Sequence, residues 1–231
     1  MRGMSALFFL GCLVAFALLN AAALTQPYNE SGYEEFGYMK LALQWPASHC
    51  QIRSCEVAIP PDFTIHGLWP DNYSGWFPLY CYKQPYVPIT NNVLLQRLRE
   101  SWPDLERKNN PKFWSDEWKK HGTCSLRLYN QMQYFEKALD LKGRYGLIQY
   151  MKTKGVSPGP KTYSAKTIIG VVQGLIGVVP EVHCEKQKTS GKQFLAEIRI
   201  CFDPSGANAI DCPASRSRQC SGNALFPALP A

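Results

Sequence analysis

Two short motifs, FTIHGLWPD at Phe63–Asp71 and FWSDEWKKHGTC at Phe113–Cys124, carry most of the information in this chain. Each motif contains one of the four histidines of the sequence. Histidine is the side chain that both accepts and donates a proton near neutral pH. With a carboxylate and an ammonium group from the second motif, these two imidazoles suffice for acid–base chemistry at a phosphodiester without a metal ion.

The first motif is predicted to form a strand over Phe63–Leu68. A period of two gives this strand two faces, Phe63, Ile65 and Gly67 on one and Thr64, His66 and Leu68 on the other. His66 is therefore expected to point away from the Phe63–Ile65 face. The absence of a side chain at Gly67 lets another group approach the backbone closely.

The second motif is predicted to be helical over Lys112–Cys124. Glu117 and His121 are four residues apart and Glu117 and Lys120 are three apart, so the three side chains share one face of the helix. Cys124 lies on the same side, where a disulfide can hold the helix in place.

An ordinary structural role explains either histidine taken alone. His66 can be a polar residue on a sheet, and His121 can be an exposed residue on a helix. Glu117 and Lys120 favour a catalytic role, because they have no evident packing use on the His121 face. Sequence spacing does not show whether the two histidines meet in space.

The order of predicted elements favours an α+β fold, a single domain with a central antiparallel sheet and helices packed on one side. Strands are predicted at Gly37–Trp45, Phe63–Leu68 and Phe194–Phe202, and helices at Asn92–Trp102, Lys112–Cys124, Gln131–Tyr150 and Ala165–Val178. In the last strand, alternation predicts one face made of Phe194, Ala196, Ile198 and Ile200.

The N-terminus has the pattern of a secretory signal at residues 1–23. Arg2 precedes an apolar run at Leu7–Leu19, and the alanines at 21–23 offer a small-residue cleavage site. The run is too short to span a bilayer and no second run of membrane length follows, so we expect a secreted, extracellular protein without membrane contact. Residues 24–231 then form one large domain.

Eight cysteines follow the predicted signal, an even number that predicts four disulfides in a secreted chain. A metal site at Cys50 and Cys55 is disfavoured, because no matching Cys/His pair lies near them in the sequence. Glycosylation sequons at Asn29 and Asn72 agree with secretion. The net charge of +7 suits a polyanionic partner, although many secreted proteins are basic for solubility alone.

The two motifs resemble the two active-site segments of the ribonuclease T2 family, which are secreted, metal-independent endoribonucleases. The resemblance extends over nearly the whole of residues 24–231. It includes LALQWPASHC at Leu41–Cys50, SWPDL at Ser101–Leu105, QYFEKALDLK at Gln133–Lys142 and EIRICFD at Glu197–Asp203.

The resemblance implies cleavage of single-stranded RNA through a 2′,3′-cyclic phosphate, with no cofactor and no metal. It implies that His121 is the general base and His66 the general acid; the residues alone do not order them. It also implies that Glu117 and Lys120 stabilise the negatively charged transition state. DNA, which lacks the 2′-hydroxyl, is not expected to be a substrate.

The resemblance further implies a set of substrate-binding positions: Gln44, Trp69, Asp71, Asp104, Leu105, Phe113 and Asp116. Ordinary packing is an equally good explanation for Trp69 and Phe113, because large aromatic side chains mostly lie in cores. Asp116 stands where many members have a histidine that helps to hold the phosphate. An aspartate facing the site there would repel phosphate.

The family pattern implies the disulfide pairing Cys50–Cys55, Cys81–Cys124, Cys184–Cys220 and Cys201–Cys212. The second bridge would tie the loop after His66 to the end of the segment that carries His121.

Within the family, the chain most resembles plant members, and among these the self-incompatibility ribonucleases of the pistil. That role implies pollen-side recognition proteins as partners and a monomeric enzyme. Two alternatives remain open: a ribonuclease of defence or phosphate scavenging, and a weakly active storage or binding protein on the same fold. A secreted carbohydrate-binding module would explain the tryptophans but not the His/Glu/Lys face.

Overall fold

The computed structural model describes residues 36–213, residue 220 and residues 222–230. The predicted signal at residues 1–23 and the sequon at Asn29 lie outside the described residues.

Seven strands among the described residues form one sheet. They are β1 (Tyr38–Gln44), β2 (Thr64–Asp71), β3 (Thr162–Ser164), β4 (Glu181–Lys186), β5 (Gln193–Phe202), β6 (Ala209–Ile210) and β7 (Asn223–Leu225). Their order is β2-β1-β5-β7-β3, and β4 and β6 also pair with β5. All pairs are antiparallel except the short parallel contact between β5 and β7.

The helices among the described residues are α1 (Pro46–Ile52), α2 (Asn92–Ser101), α3 (Asn110–Lys120), α4 (Gln131–Gly143), α5 (Leu147–Thr153) and α6 (Ala165–Ile176). A 3₁₀ turn at Gly122–Ser125 follows α3. Side chains cap the N-termini of four of the helices, with Asn91, Asn109, Asn130 and Ser164 each accepting a backbone N–H. The α+β fold is confirmed.

Two predicted helices differ from the structure. The helix predicted over Lys112–Cys124 ends at Lys120, because His121 leaves the helical conformation at φ −120° and the chain tightens into the 3₁₀ turn. The helix predicted over Gln131–Tyr150 is two helices. The break lies at Gly143–Gly146, where two glycines weaken the helical preference.

The two faces of β1 have different environments. Met39, Leu41 and Leu43 belong to the hydrophobic core, which α2 and α4 cover on that side. The other face carries Lys40 and Gln44, and both of these polar side chains are buried as well. The central strand therefore separates an apolar core from a polar, partly enclosed face.

A β-bulge interrupts β2 at His66. Gly67 pairs with Ala42 and Ile65 pairs with Leu43, so His66 has no partner on β1. The extra residue shifts the alternation, so that Leu68 joins Ile65 in the core and the predicted placement of Leu68 with His66 is wrong. A second bulge leaves Ala196 of β5 without a partner on β4. There Leu195 joins the core cluster, which includes neither Phe194 nor Ala196, and the predicted face is wrong in the same way.

Four disulfide bonds link the described cysteines, and they have the pairing that the resemblance implied: Cys50–Cys55, Cys81–Cys124, Cys184–Cys220 and Cys201–Cys212. Cys124 lies in the 3₁₀ turn directly after α3. Next to its partner Cys81, the Tyr80 N–H donates a hydrogen bond to the Lys120 carbonyl at 2.9 Å. This bridge therefore fastens the loop after β2 to the C-terminal end of α3.

We predict unequal stability losses from removing two of these bridges. Cys81–Cys124 closes a separation of 43 residues and Cys50–Cys55 one of 5. By loop-closure entropy, replacing both cysteines by alanine should lower the free energy of unfolding by about 4 kcal/mol for the first pair and about 2 kcal/mol for the second. Denaturant titration of the two double variants measures this, and equal losses would contradict the prediction.

Candidate active site

A cavity of about 680 Å³ opens on the polar face of the sheet. Its wall includes all four predicted catalytic side chains, His66 from β2 and Glu117, Lys120 and His121 from the end of α3. The tertiary structure thus brings together the two motifs that the sequence could not place relative to each other.

Trp69 lies between the two imidazoles. The centre of its ring is 5.1 Å from that of His66 and 5.5 Å from that of His121. The indole Nε1 donates a hydrogen bond to Glu117 Oε2 at 3.2 Å. A Cβ on Gly67 would meet that nitrogen at 2.0 Å and the Glu117 oxygen at 2.4 Å, so glycine is required for this close approach.

His66 owes its position to the bulge and to groups that hold its backbone and ring. Trp102 Nε1 donates a hydrogen bond to the His66 carbonyl at 3.0 Å. His66 Nδ1 lies 2.5 Å from Glu197 Oε1, and the side chain remains 39% exposed. Burial disfavours the imidazolium, but the neighbouring Glu197 carboxylate outweighs it and raises the pKa of His66 above the ordinary value.

His121 has the opposite environment. It is only 6% exposed, and its Nδ1 has no hydrogen-bond partner among the described residues. Burial, together with the positive charge of Lys120 and the proximity of His66, lowers the pKa of His121 to about 3. His121 is therefore neutral at physiological pH.

Glu117 and Lys120 complete the same wall. Glu117 is buried, and this burial raises the pKa of its carboxyl group. The His121 N–H donates a hydrogen bond to the Glu117 carbonyl at 2.9 Å, so the backbone couples the position of the histidine to the last turn of α3.

Asp71 lies at the edge of the cavity with both carboxylate oxygens engaged. Lys40 Nζ is 2.9 Å from Oδ2, and the Asn72 N–H donates to Oδ1 at 2.7 Å. Tyr38 also donates a hydrogen bond to Asp71, and its burial beside this carboxylate raises the pKa of the phenol. Asp71 is therefore part of a charged network in the cavity wall.

A second cavity of about 170 Å³ lies on the other side of His66. Gln44 lines it together with Glu197, and both share this wall with His49 and Glu106, which lie 3.0 Å apart. Because His66 lines both cavities, it separates two spaces on the polar face of the sheet.

Four predicted substrate-binding residues line neither described cavity. The Asp104 carboxylate accepts backbone N–H groups of the following turn, and Leu105 is 2% exposed. Phe113 packs against the core. Asp116 forms an ion pair with Lys112, at 2.6 Å from each of its oxygens, so its charge is neutralised on the outer side of α3.

Several residues that line the larger cavity were not predicted from the sequence as site residues, among them Lys40, Tyr73, Phe77 and Arg199. The available signal was the alternation of β5, because the charged residues Glu197 and Arg199 alternate with the apolar residues Ile198 and Ile200. The sequon residue Asn72 also lines the cavity, and its neighbour Tyr73 is 66% exposed.

None of the helices in the described part of the chain is long and apolar enough to cross a membrane. Across the same residues, no group of three or more His, Cys, Asp or Glu side chains could hold a metal ion.

The model of the ribonuclease T2 family matches residues 36–212, which include both motifs and every residue of the site described above. The chain belongs to the ribonuclease T2 family. It is therefore an endoribonuclease.

Its relatives among plant ribonucleases T2 are similar over most of their length. Ribonuclease S-2 of Antirrhinum hispanicum is 38% identical over 78% of this chain and 77% of the relative. Ribonuclease 3 of Arabidopsis thaliana is 34% identical over 89% of this chain and 96% of the relative. The crystal structure of the self-incompatibility-associated SF11-RNase of Nicotiana alata matches with a TM-score of 0.76 and 32% identity, over 84% of this chain and 100% of that one.

Gly67→Ala should disable this ribonuclease. The new methyl group would displace Trp69 and Glu117, and a misplacement of about 1 Å costs on the order of a hundredfold in rate. Steady-state cleavage of RNA and tryptophan fluorescence measure the effect. Gly143→Ala is the matched control, because a Cβ there meets nothing within 4 Å. Normal turnover in Gly67→Ala would contradict the proposed tight approach.

Proposed function

We propose that this chain cleaves single-stranded RNA by general acid–base catalysis, with His121 as base and His66 as acid. The observation that supports this assignment best is the opposite protonation preference of the two imidazoles. Burial keeps His121 neutral, and Glu197 favours the protonated form of His66. One histidine is therefore ready to accept a proton and the other to donate one.

The proposed reaction has two stages. In the first, His121 takes the proton of the ribose 2′-hydroxyl, the 2′-oxygen bonds to the adjacent phosphorus, and the bond from phosphorus to the 5′-oxygen breaks. His66 gives its proton to the departing 5′-oxygen, which leaves a 2′,3′-cyclic phosphate. In the second, His66 takes a proton from water, the water oxygen bonds to phosphorus, and the bond from phosphorus to the 2′-oxygen breaks. His121 returns a proton to the 2′-oxygen, which leaves a 3′-phosphate.

Lys120 and Glu117 are proposed to stabilise the negative charge that develops on the phosphoryl oxygens. Lys120 supplies a positive charge in the cavity wall. The raised pKa of Glu117 favours a protonated carboxyl group, which donates a hydrogen bond to an oxygen instead of repelling it. The bound phosphate also raises the proton affinity of His121 and so makes it a stronger base.

The two cavities beside His66 suit the two nucleotides that flank the cleaved bond. We assign the larger one, with Trp69 and the edge at Asp71, to one base and the smaller one, with Gln44, to the other. Base-binding roles for Asp104, Leu105 and Phe113 stay predictions from the family pattern. The ion pair with Lys112 supports activity despite Asp116, because it directs this charge away from the cavity.

Purified protein should cleave single-stranded RNA in the presence of a chelator and leave DNA intact. His66→Ala and His121→Ala should each lower kcat by about 10²–10⁴-fold, because each removes one proton-transfer group. Lys120→Ala should also lower kcat. Lys119→Ala, on the exposed side of α3, is its matched control and should leave kcat unchanged. Chromatography of the products identifies the cyclic phosphate. Correctly folded protein with no activity would instead support a storage or binding role.

The proposal includes secretion, with residues 1–23 removed and residues 24–231 as the mature monomer. The four disulfides support an oxidising compartment. Asn72 lies beside the exposed side chains of Tyr73 and Ser74, which supports its use as a glycosylation site.

We further propose a role in pistil self-incompatibility. Similarity to ribonuclease S-2 and to the self-incompatibility-associated SF11-RNase supports it. A role in defence or phosphate scavenging is the second candidate. Similarity alone does not favour the pistil role strongly, because Arabidopsis ribonuclease 3, whose name refers to no self-incompatibility locus, is 34% identical. In the first role, pollen-side recognition proteins would contact exposed loops such as residues 72–80, which carry Trp76 at 61% exposure.

The two roles predict different distributions of the protein. A self-incompatibility factor should be restricted to the style and occur as many divergent alleles in one population. Transcript measurement in separate organs and sequencing across individuals test this. One invariant form in leaves or roots would exclude the pistil role and leave the enzymatic proposal untouched.

A further inference from the structure

We infer that Glu197 is a positioning residue for His66, holding the imidazole so that its other nitrogen faces the substrate phosphate. This inference rests on the proposed function of His66 as the general acid. Glu197 belongs to neither motif, and it lies 131 residues from His66 in sequence.

The sheet brings these two residues together across a third strand. β1 lies between β2 and β5, and its Ala42 pairs with Gly67 on one side and Arg199 on the other. Paired residues share a face of the sheet, so Ala42 lies on the face that carries His66 and Glu197. Because the alanine side chain is small and fully buried, it leaves room for these two longer side chains to meet above β1. His66 Nδ1 and Glu197 Oε1 meet at 2.5 Å.

Both residues are adjacent to bulges. His66 is itself the residue of β2 that has no partner on β1, and Glu197 directly follows Ala196, the residue of β5 that has no partner on β4. Bulges redirect side chains and recur next to active sites. The bulges in β2 and β5 thus both lie next to the contact between His66 and Glu197.

Arg199 holds the second oxygen of Glu197. Its Nε and Nη2 atoms each lie 2.7 Å from Oε2, and its Nη1 lies 3.4 Å from Glu181 Oε1. Burial alone would raise the pKa of Glu197, but His66 and Arg199 outweigh it and keep this pKa well below the ordinary range. Glu197 is therefore an ionised carboxylate with a fixed orientation.

A fixed carboxylate has two consequences for His66. It accepts the Nδ1–H, which leaves Nε2 as the nitrogen that carries the transferable proton. It also strengthens the binding of that proton. Other charged or titratable groups act on this pair as well: Glu117 from α3, Arg199 from β5, His183 from β4, His121 after α3 and His49 from α1.

Two variants separate the charge of Glu197 from its hydrogen bond. Glu197→Gln keeps an acceptor but loses the charge, and Glu197→Ala loses both. The fall in kcat/KM at alkaline pH occurs where His66 loses its proton, and the raised pKa of His66 places this fall above the ordinary range for a histidine in the wild type. Glu197→Gln should move this fall to lower pH, and Glu197→Ala should in addition lower kcat by about tenfold to a hundredfold.

The choice of substrate distinguishes positioning from a merely structural role. A dinucleotide has a poor leaving group that needs the acid, whereas a uridine 3′-(4-nitrophenyl phosphate) does not. The loss in Glu197→Ala should therefore be large in kcat on the dinucleotide and small on the nitrophenyl ester. Glu181→Gln is the matched control, because it removes a buried carboxylate beside Arg199 that does not contact His66. It should leave the position of the alkaline fall unchanged.

Equal losses on both substrates with an unshifted pH profile would overturn the inference. NMR titration of the wild type keeps the inference testable if a variant fails to fold. In this titration His66 must have a pKa above that of an unperturbed histidine and must carry the proton of its neutral form on Nδ1. An unshifted or lowered pKa, or a neutral-form proton on Nε2, would also overturn the inference. This titration does not require enzymatic activity. The contact between His66 and Glu197 can therefore be tested even if the protein fails to cleave RNA, a result that would refute the proposed function alone.

Discussion

The β-bulge at His66 is the constraint on which the site depends. A regular strand would carry Leu68 on the same face as His66, so that either Leu68 would leave the core or His66 would leave the cavity. The bulge lets β2 keep Ile65 and Leu68 in the core while His66 points into the cavity. Donors from the helices hold the distorted backbone, with Trp102 bonded to the His66 carbonyl and Tyr134 to the Leu68 carbonyl. The packing of β2 in the core and the position of His66 in the cavity therefore depend on the same bulge.

Beside the polar face of the sheet, two histidine side chains have opposite protonation preferences: His66 favours the protonated form and His121 the neutral form. His66 has a carboxylate at hydrogen-bond distance, and His121 has none within the described chain and is buried beside a lysine. Burying charged groups such as Lys40 and Glu197 costs free energy unless each is paired. Here they are paired, with Asp71 and Glu181 around Lys40 and with Arg199 beside Glu197. The fold maintains this network beside the larger cavity, in whose wall Lys40, Asp71 and Arg199 lie.

Local patterns predicted most elements well, and the failures share physical causes. Strands β1 and β2 and helices α2 and α6 lie close to their predicted ranges, because alternation and helical periodicity act locally. The predicted faces of β2 and β5 were wrong because a single bulge reverses the parity of every later residue. Two helices were predicted too long. The first ends before His121, where the chain enters the 3₁₀ turn, and the second is interrupted between Gly143 and Gly146. Such breaks depend on tertiary packing, as with Gly122, where a Cβ would lie 2.3 Å from the Trp118 ring.

The amino-acid sequence was enough to predict the α+β class, the two histidine motifs and, through family resemblance, the family and the disulfide pairing. These follow from short-range periodicity and from motifs that are specific as strings of residues. Three features required the folded chain. Asp116 pairs with Lys112, Glu197 contacts His66 across β1, and one cavity is lined by His66, Trp69, Glu117, Lys120 and His121. These contacts join residues that are distant in the chain or depend on side-chain direction. Strand order, bulge position and burial set them, and none of these three is a local property of the sequence.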